Sequence, residues 1–244
     1  MTKKRLVSNS LLKNNGNGPS VNSLWPKGPN PLRPLPETML RFRTFPTALH
    51  FDVHKAFHGI HTSKEDMFLR LMLWRHGNQQ ESWKVYGYLV VAFGDRPASN
   101  VLEATLQIAS EEGLCIDKKA AEAISEHMYV DDALTGGTTE EVSKMVGSCT
   151  LKENGSLFYD GTISRTLASV GLRPKMMVTS GETNKDALAM MGDSVVGVKW
   201  DPVADCFSFK LSVNIHKRDR AGQPIGPDLT PDTLYTLEDH TASR

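Results

Sequence analysis

The chain has 244 residues, with 28 Lys and Arg against 28 Asp and Glu, and is 39% hydrophobic and 23% charged. This composition suits one large globular domain or two small ones, and no apolar run reaches the ~18 residues of a membrane-spanning helix. Zero formal charge excludes a uniformly basic surface, so any phosphate binding has to come from a local groove.

Met1 to Arg5 leads into no apolar h-region, so no secretory leader is expected. Cys115, Cys149 and Cys206 fit neither a zinc spacing nor a disulfide framework, which favours a reducing intracellular setting. Residues 1–37 are rich in Asn, Pro, Gly and Ser and read as loop. The character changes at Met39. Residues 46–53 read as a strand, with Leu49, Phe51 and Val53 on one face and Ala48, His50 and Asp52 on the other. The apolar runs 67–75 and 83–93, separated by Gly77-Asn78, read as an antiparallel pair.

A helix follows Pro97, with Val101, Leu102, Thr105, Leu106 and Ala109 at helical spacing and Gly113 as a C′ stop. Asp117 caps a second helix that ends near Glu126. Residues 128–135 read as a tight hairpin with Asp131 and Asp132 at its tip, and Gly136-Gly137 as its flexible exit. Thr138 and Glu141 form a capping box, which opens a helix with Val142, Met145, Val146 and Cys149 on one stripe. A helix over 160–170 buries Ile163, Leu167 and Val170 and ends at Gly171. A strand follows at 175–179, with Met176 and Met177, like Met190 and Met191, as core filler. Residues 195–200 and 206–213 flank the turn signal Asp201-Pro202. Beyond Asn214 the chain is polar and reads as a disordered tail. Strands mixed with helices in this order predict an α+β fold, an antiparallel sheet covered by helices on one face.

Asp52, Asp131 and Asp132 are the candidate chemical residues. Two-metal nucleotidyl transfer needs carboxylates that share ions about 3.5–4 Å apart. Mg²⁺ takes one or two carboxylates and fills its shell with water and phosphate oxygens. An aspartate at a strand end and an acidic pair on a neighbouring hairpin meet that need if the two elements are adjacent, since paired strands lie ~4.8 Å apart. Asp is also a common turn residue, so the acidic pair alone has a bland explanation.

The segment Tyr129-Val130-Asp131-Asp132 resembles the Tyr-x-Asp-Asp box of reverse transcriptases. Phe51 to His58 (Phe-Asp-Val-His-Lys-Ala-Phe-His) is similar to their first aspartate motif, in the form with Phe-His found in BEL/Pao-type LTR retrotransposons. Phe93-Gly94-Asp95-Arg96-Pro97-Ala98 is similar to the Gly-Pro-Ala motif at the template and nucleotide site. Lys4 to Ser10 resembles a fingers strand, Leu24 to Asn30 the Leu-x-x-Gly-Pro-Asn segment of the Pao group, and Val196 to Pro202 that group's primer-grip hairpin. Together they span roughly residues 3–213, in the family's order.

The resemblance implies a reverse transcriptase palm with partial fingers and a missing thumb. Residues 1–45 would be partial fingers and loop. Residues 46–213 would be palm with a fingers hairpin inserted at about 67–93, and 214–244 a tail toward the thumb. It implies an RNA-directed DNA polymerase that adds dNTPs to a primer 3′-hydroxyl with two Mg²⁺ ions, or Mn²⁺ in their place. Asp52, Asp131 and Asp132 would be catalytic and bind metal, with the main chain of Val53 as a further oxygen donor. Arg5, Phe57, Gly94, Pro97 and Lys175 would contact the dNTP, with Phe57 excluding a 2′-hydroxyl. Gly197 and Trp200 would form the primer grip. The implied partners are a primed RNA or DNA template, dNTPs, and ribonuclease H and integrase domains of a polyprotein, with no membrane. The implied location is the cytoplasm, within virus-like particles. Asp95 departs from the family pattern, because an acid beside a template path is unexpected.

Two other functions compete with this one. One is an inactive retroelement remnant that binds nucleic acid; the other is an unrelated Mg²⁺-dependent nucleotidyltransferase. His50, His54, His58 and His61 suggest a zinc cluster only if they share a helix, and His50 is expected on a strand.

Overall fold

Thr47–Val53 has hydrogen-bonded neighbours on both sides, which makes it one of the two inner strands of a four-stranded sheet. The computed structural model describes residues 10, 11, 13, 17–29, 33–75, 77–153, 155–181, 198–204 and 206–209. Its elements in chain order are α1 (Val21–Leu24), α2 (Leu35–Phe42), β1 (Thr47–Val53), α3 (Lys64–Met67), β2 (Leu71–Trp74) and β3 (Lys84–Gly87). Then come α4 (Ala98–Gly113), α5 (Lys118–Glu126), β4 (Met128–Tyr129), β5 (Asp132–Gly137), α6 (Thr139–Val146) and β6 (Cys149–Leu151). The last are β7 (Leu157–Tyr159), α7 (Thr162–Ala168), β8 (Pro174–Thr179), β9 (Val198–Asp201) and β10 (Cys206–Phe209), with 3-10 turns at Phe57–Gly59 and Phe68–Arg70. The chain divides into two compact units, residues 1–179 and 180–244. The fold class is α+β with small antiparallel sheets, and no helix among the described residues is long and apolar enough to cross a membrane.

In the first unit the four-stranded sheet runs β4-β5-β1-β8, and every pairing is antiparallel. Period-2 alternation puts Leu49, Phe51 and Val53 on one face with Ala133 and Met177, and these join the main core cluster. Helices α4 to α7 cover that face. Leu102, Leu106, Ile124, Ile163 and Leu167 are each no more than 1% exposed, and each such burial contributes about 1.5–3 kcal/mol. On the opposite face His50 is buried, as expected only for strands covered on both sides, while Asp52 is half-buried.

Local chemistry explains most helix ends. The Asp117 carboxylate accepts from the amides of Lys119 and Ala120, and Thr138 and Glu141 form the expected reciprocal capping box. Gly171 adopts φ 75° just past α7. Gly113 is the last residue of α4, so the helix stops where expected, and the glycine has a packing role besides. A Cβ there would approach Thr166 Cγ2 to 2.3 Å, so its missing side chain lets α4 and α7 pack closely. Gly136 and Gly137 are strand residues of β5, not a flexible exit. A Cβ on Gly136 would collide with the Thr47 carbonyl and the Phe45 side chain.

Three more local expectations are corrected. Cys149 lies outside α6, which stops at Gly147 (φ 66°), and starts the hairpin β6–β7. Residues 35–42 are helical, because Pro36 sits in the first turn, where its missing N–H has no helical partner to lose. The apolar run that starts at 67 begins as helix: the Ser63 hydroxyl accepts from the Asp66 amide and caps α3, and only Leu71–Trp74 pairs with Lys84–Gly87. That hairpin leaves Leu71, Leu73, Trp74, Trp83 and Val85 exposed.

In the second unit β9 pairs with β10, Trp200 opposite Phe207. The Asp201 carboxylate accepts from the amides of Val203 and Ala204, so the Asp-Pro turn signal has a direct structural cause. Residues 214–244, Met190 and Met191 lie outside the described residues.

Candidate functional site

Asp52 and Asp132 are directly opposed in the β1–β5 pairing and so project from the same face of the sheet. Asp131 adjoins them in the β4–β5 turn. Tyr129 pairs with Asp132, leaving Val130 and Asp131 as a two-residue loop, so one aspartate sits in the turn and the other starts the strand. The Val53 amide donates to the Asp131 carbonyl at 2.9 Å, tying this turn to β1. Two-residue hairpin loops favour turns with positive φ at the first position. Val130 meets that demand at φ 61°, a conformation that is unfavourable for a β-branched residue. Its side chain packs against the core, which helps hold the turn in place.

The electrostatics follow from this crowding. Burial, then the charges of Asp132 and Asp52, push the Asp131 carboxyl up to about 6, against opposing pulls from its own amide and from Lys175. Two basic groups lie against the cluster. Lys175 Nζ is 2.8 Å from Asp52 Oδ2, and His50 Nε2 is 3.4 Å from Asp132 Oδ1. His54, just past β1, is held below the usual histidine range by burial, then by the charges of Arg173 and Lys55, with Lys175 adding to the effect. Lys55, Arg173 and Lys175 thus gather basic charge around His54, and of the three Lys175 reaches the carboxylates.

This donor set suits a hard divalent cation. Burial first, and then the two neighbouring carboxylates, make Asp131 resist ionisation, and a cation would offset both. Among the described residues no group of three or more His, Cys, Asp or Glu is gathered so as to hold a metal ion by itself. An open set of carboxylates is still compatible with Mg²⁺, which completes its shell with water and phosphate.

The other candidates have distinct surroundings. Phe57 is 8% exposed, in the core, edge-on to Phe93 with ring centroids 5.0 Å apart. Gly94 has φ 95°, and its carbonyl accepts from Asn22 Nδ2 at 2.8 Å. Pro97 precedes α4 and lines a cleft of about 290 Å³ with Trp25, His61, Arg70 and Asp95. Trp200 belongs to the second unit and is buried. Arg5 and Gly197 lie outside the described residues.

Asp95 is 6% exposed and points inward. Its carboxylate lies 2.9 Å from Arg70 Nε and accepts from Ser10 Oγ at 2.9 Å and from the Ala92 amide. Arg70 Nε makes a charge contact without hydrogen-bond geometry, while Nη1 donates to Thr62 Oγ1. The unexpected acid of the Gly-Pro-Ala-like segment is therefore an internal partner of Arg70.

Sequence reasoning placed His50 on the Asp52 face without giving it a role, and period-2 alternation was enough to find its neighbourhood. The ion pair of Lys175 had no sequence signal, since it depends on how β8 meets β1. No family model matches the chain, and no curated protein matches it in sequence.

Proposed function

We propose that this chain is the polymerising core of a reverse transcriptase of the BEL/Pao type, with the sheet and its helices as the palm and the β2–β3 hairpin as part of the fingers. The observation that carries the reading is the direct opposition of Asp52 and Asp132 with Asp131 in the adjoining turn, in a chain whose motifs resemble that family's in order. The Asp52 and Asp131 carboxylates would be the principal ligands of Mg²⁺, with Asp132 and the main chain of Val53 supporting them. When bound, the ions would activate the primer 3′-hydroxyl and neutralise charge on the incoming triphosphate.

The chain's own residues would do the positioning. Lys175 supplies positive charge at Asp52, and Arg173 and Lys55 supply it around the neighbouring His54, where triphosphate oxygens would lie. Phe57, wedged against Phe93, would give a rigid floor under the sugar. The substrates would be dNTPs and a primed RNA or DNA template, in the cytoplasm within particles of the element, alongside ribonuclease H and integrase domains.

Primer extension tests this reading. With a primed RNA template, dNTPs and Mg²⁺, the protein should extend the primer. Asp131→Asn should reduce extension at least ~100-fold, as expected when an electrostatic catalytic group is removed. Equal extension by wild type and Asp131→Asn would overturn the assigned site.

A further inference from the structure

We infer that Lys175 is a resident counter-ion of the carboxylate cluster, occupying Asp52 until a divalent cation takes its place and thereby setting the cluster's metal affinity; this rests on the metal-binding reading proposed above. The evidence is in the β1–β8 register. Leu49 pairs with Thr179, His50 with Val178, Phe51 with Met177 and Asp52 with Met176, but Val53 pairs with Pro174. Lys175 is the extra residue of a β-bulge. Met176 shares the Asp52 side of the sheet, so strict alternation would send Lys175 to the opposite, core-facing side. A bulge re-aims the side chain it carries, and here the amine ends 2.8 Å from Asp52 Oδ2.

The pair is built to exchange. The Lys175 side chain is 42% exposed and that of Asp52 29%, so water reaches both partners. A lysine is a point charge on a flexible stem, held here at its tip, and it gains rotamer freedom on release. It supplies one positive charge to a cluster of three carboxyl groups, whereas a divalent ion supplies two. Both would draw on the same carboxylate, whose Oδ2 the amine already holds. The amine must therefore release Oδ2 before Asp52 can offer its whole carboxylate to a metal, and until it moves its charge also repels the incoming ion. Both effects lower the affinity of the free protein for metal. A lysine that merely braced the strand, or preorganised Asp52, would act in the opposite direction.

The test is titration of the full chain with Mn²⁺, without nucleotide or nucleic acid, following the free-ion EPR signal. Removing one nearby positive charge should tighten Mn²⁺ binding about tenfold in Lys175→Met, the change expected for a partly solvated charge pair at this separation. Lys175→Arg should stay within about twofold of wild type, because it keeps the charge. Asp131→Asn should weaken binding in both the wild-type and Lys175→Met backgrounds. Should Lys175→Met fold poorly, Lys175→Gln serves the same purpose, with circular dichroism to verify its fold. Binding by the neutral variant equal to or weaker than wild type, with the Asp131→Asn effect intact, would overturn the counter-ion role and leave the metal site standing. An absent Asp131→Asn effect would instead overturn the metal site, and the counter-ion role with it.

Discussion

At the scale of single residues, the Asp131 carboxyl is raised to about 6 first by burial and then by the charges of Asp132 and Asp52. The unfolded chain ionises this group in the ordinary carboxylate range. Between that range and pH 6 the folded state therefore holds a proton that the unfolded state lacks. Stability from this group is fully present at low pH and is lost as the pH rises through 6. At neutral pH the cation-free protein carries the whole penalty. Asp131→Asn should then stabilise the metal-free protein at pH 7 by about 1 kcal/mol, after allowance for solvent screening of a half-buried group. Urea denaturation in EDTA would measure it, and the gain should vanish near pH 4. A variant that is less stable than wild type at pH 7 would mean that the carboxylate makes a net favourable contact. The same substitution is expected to weaken metal binding, so stability and function oppose each other at this position.

Elements show where reading from sequence succeeds and where it stops. Caps and turns were legible because their chemistry is local: Asp117 before α5, Thr138 with Glu141 before α6, and Asp201 before the β9–β10 turn each act within three residues. The start of α2 was missed because Pro34 and Pro36 read as loop, although proline is tolerated in a first helical turn. The three-residue strands β6 and β7 are too short to show a period. In sequence Asp95 looks like an acid beside a template path, because its partner, Arg70, is 25 residues earlier and only the fold brings them together. That pair ties the 3-10 turn at Phe68–Arg70 to the loop before α4, with the arginine side chain 10% exposed and the aspartate 1%. Breaking one half of a buried ion pair leaves an uncompensated charge and costs about 3–5 kcal/mol. Asp95→Ala should therefore lower unfolding stability by about 3 kcal/mol, measured by urea denaturation. A loss under about 1 kcal/mol would show that water reaches Arg70 once its partner is gone.

For the molecule as a whole, strand patterning gives the face of Asp52 but leaves its adjacency to the 131–132 turn conditional on pairing, and the β1–β5 register supplies that pairing by placing Asp132 opposite Asp52. The packing of the helical layer was not legible, because a glycine near a helix end has the same sequence signature whether it stops the helix or admits a neighbour. Gly113 admits one: Thr166 of α7, itself fully buried, lies where a Cβ would be. Intrinsic propensity favours alanine over glycine within a helix by about 1 kcal/mol. Overpacking a buried contact costs about 1–3 kcal/mol, and here the obstructing atoms belong to a short branched side chain with little room to move. The steric term should win, and Gly113→Ala should destabilise the chain by about 1 kcal/mol. Thr166→Ala removes the two nearest obstructing atoms, Cγ2 and Oγ1, and leaves only Cβ at 3.2 Å. The double variant Gly113→Ala/Thr166→Ala should consequently be more stable than the sum of the single effects predicts, with a coupling of about 1 kcal/mol in a double-mutant cycle. Additive effects would place the α4–α7 contact elsewhere, and with it the support that these helices give to the sheet beneath the carboxylates.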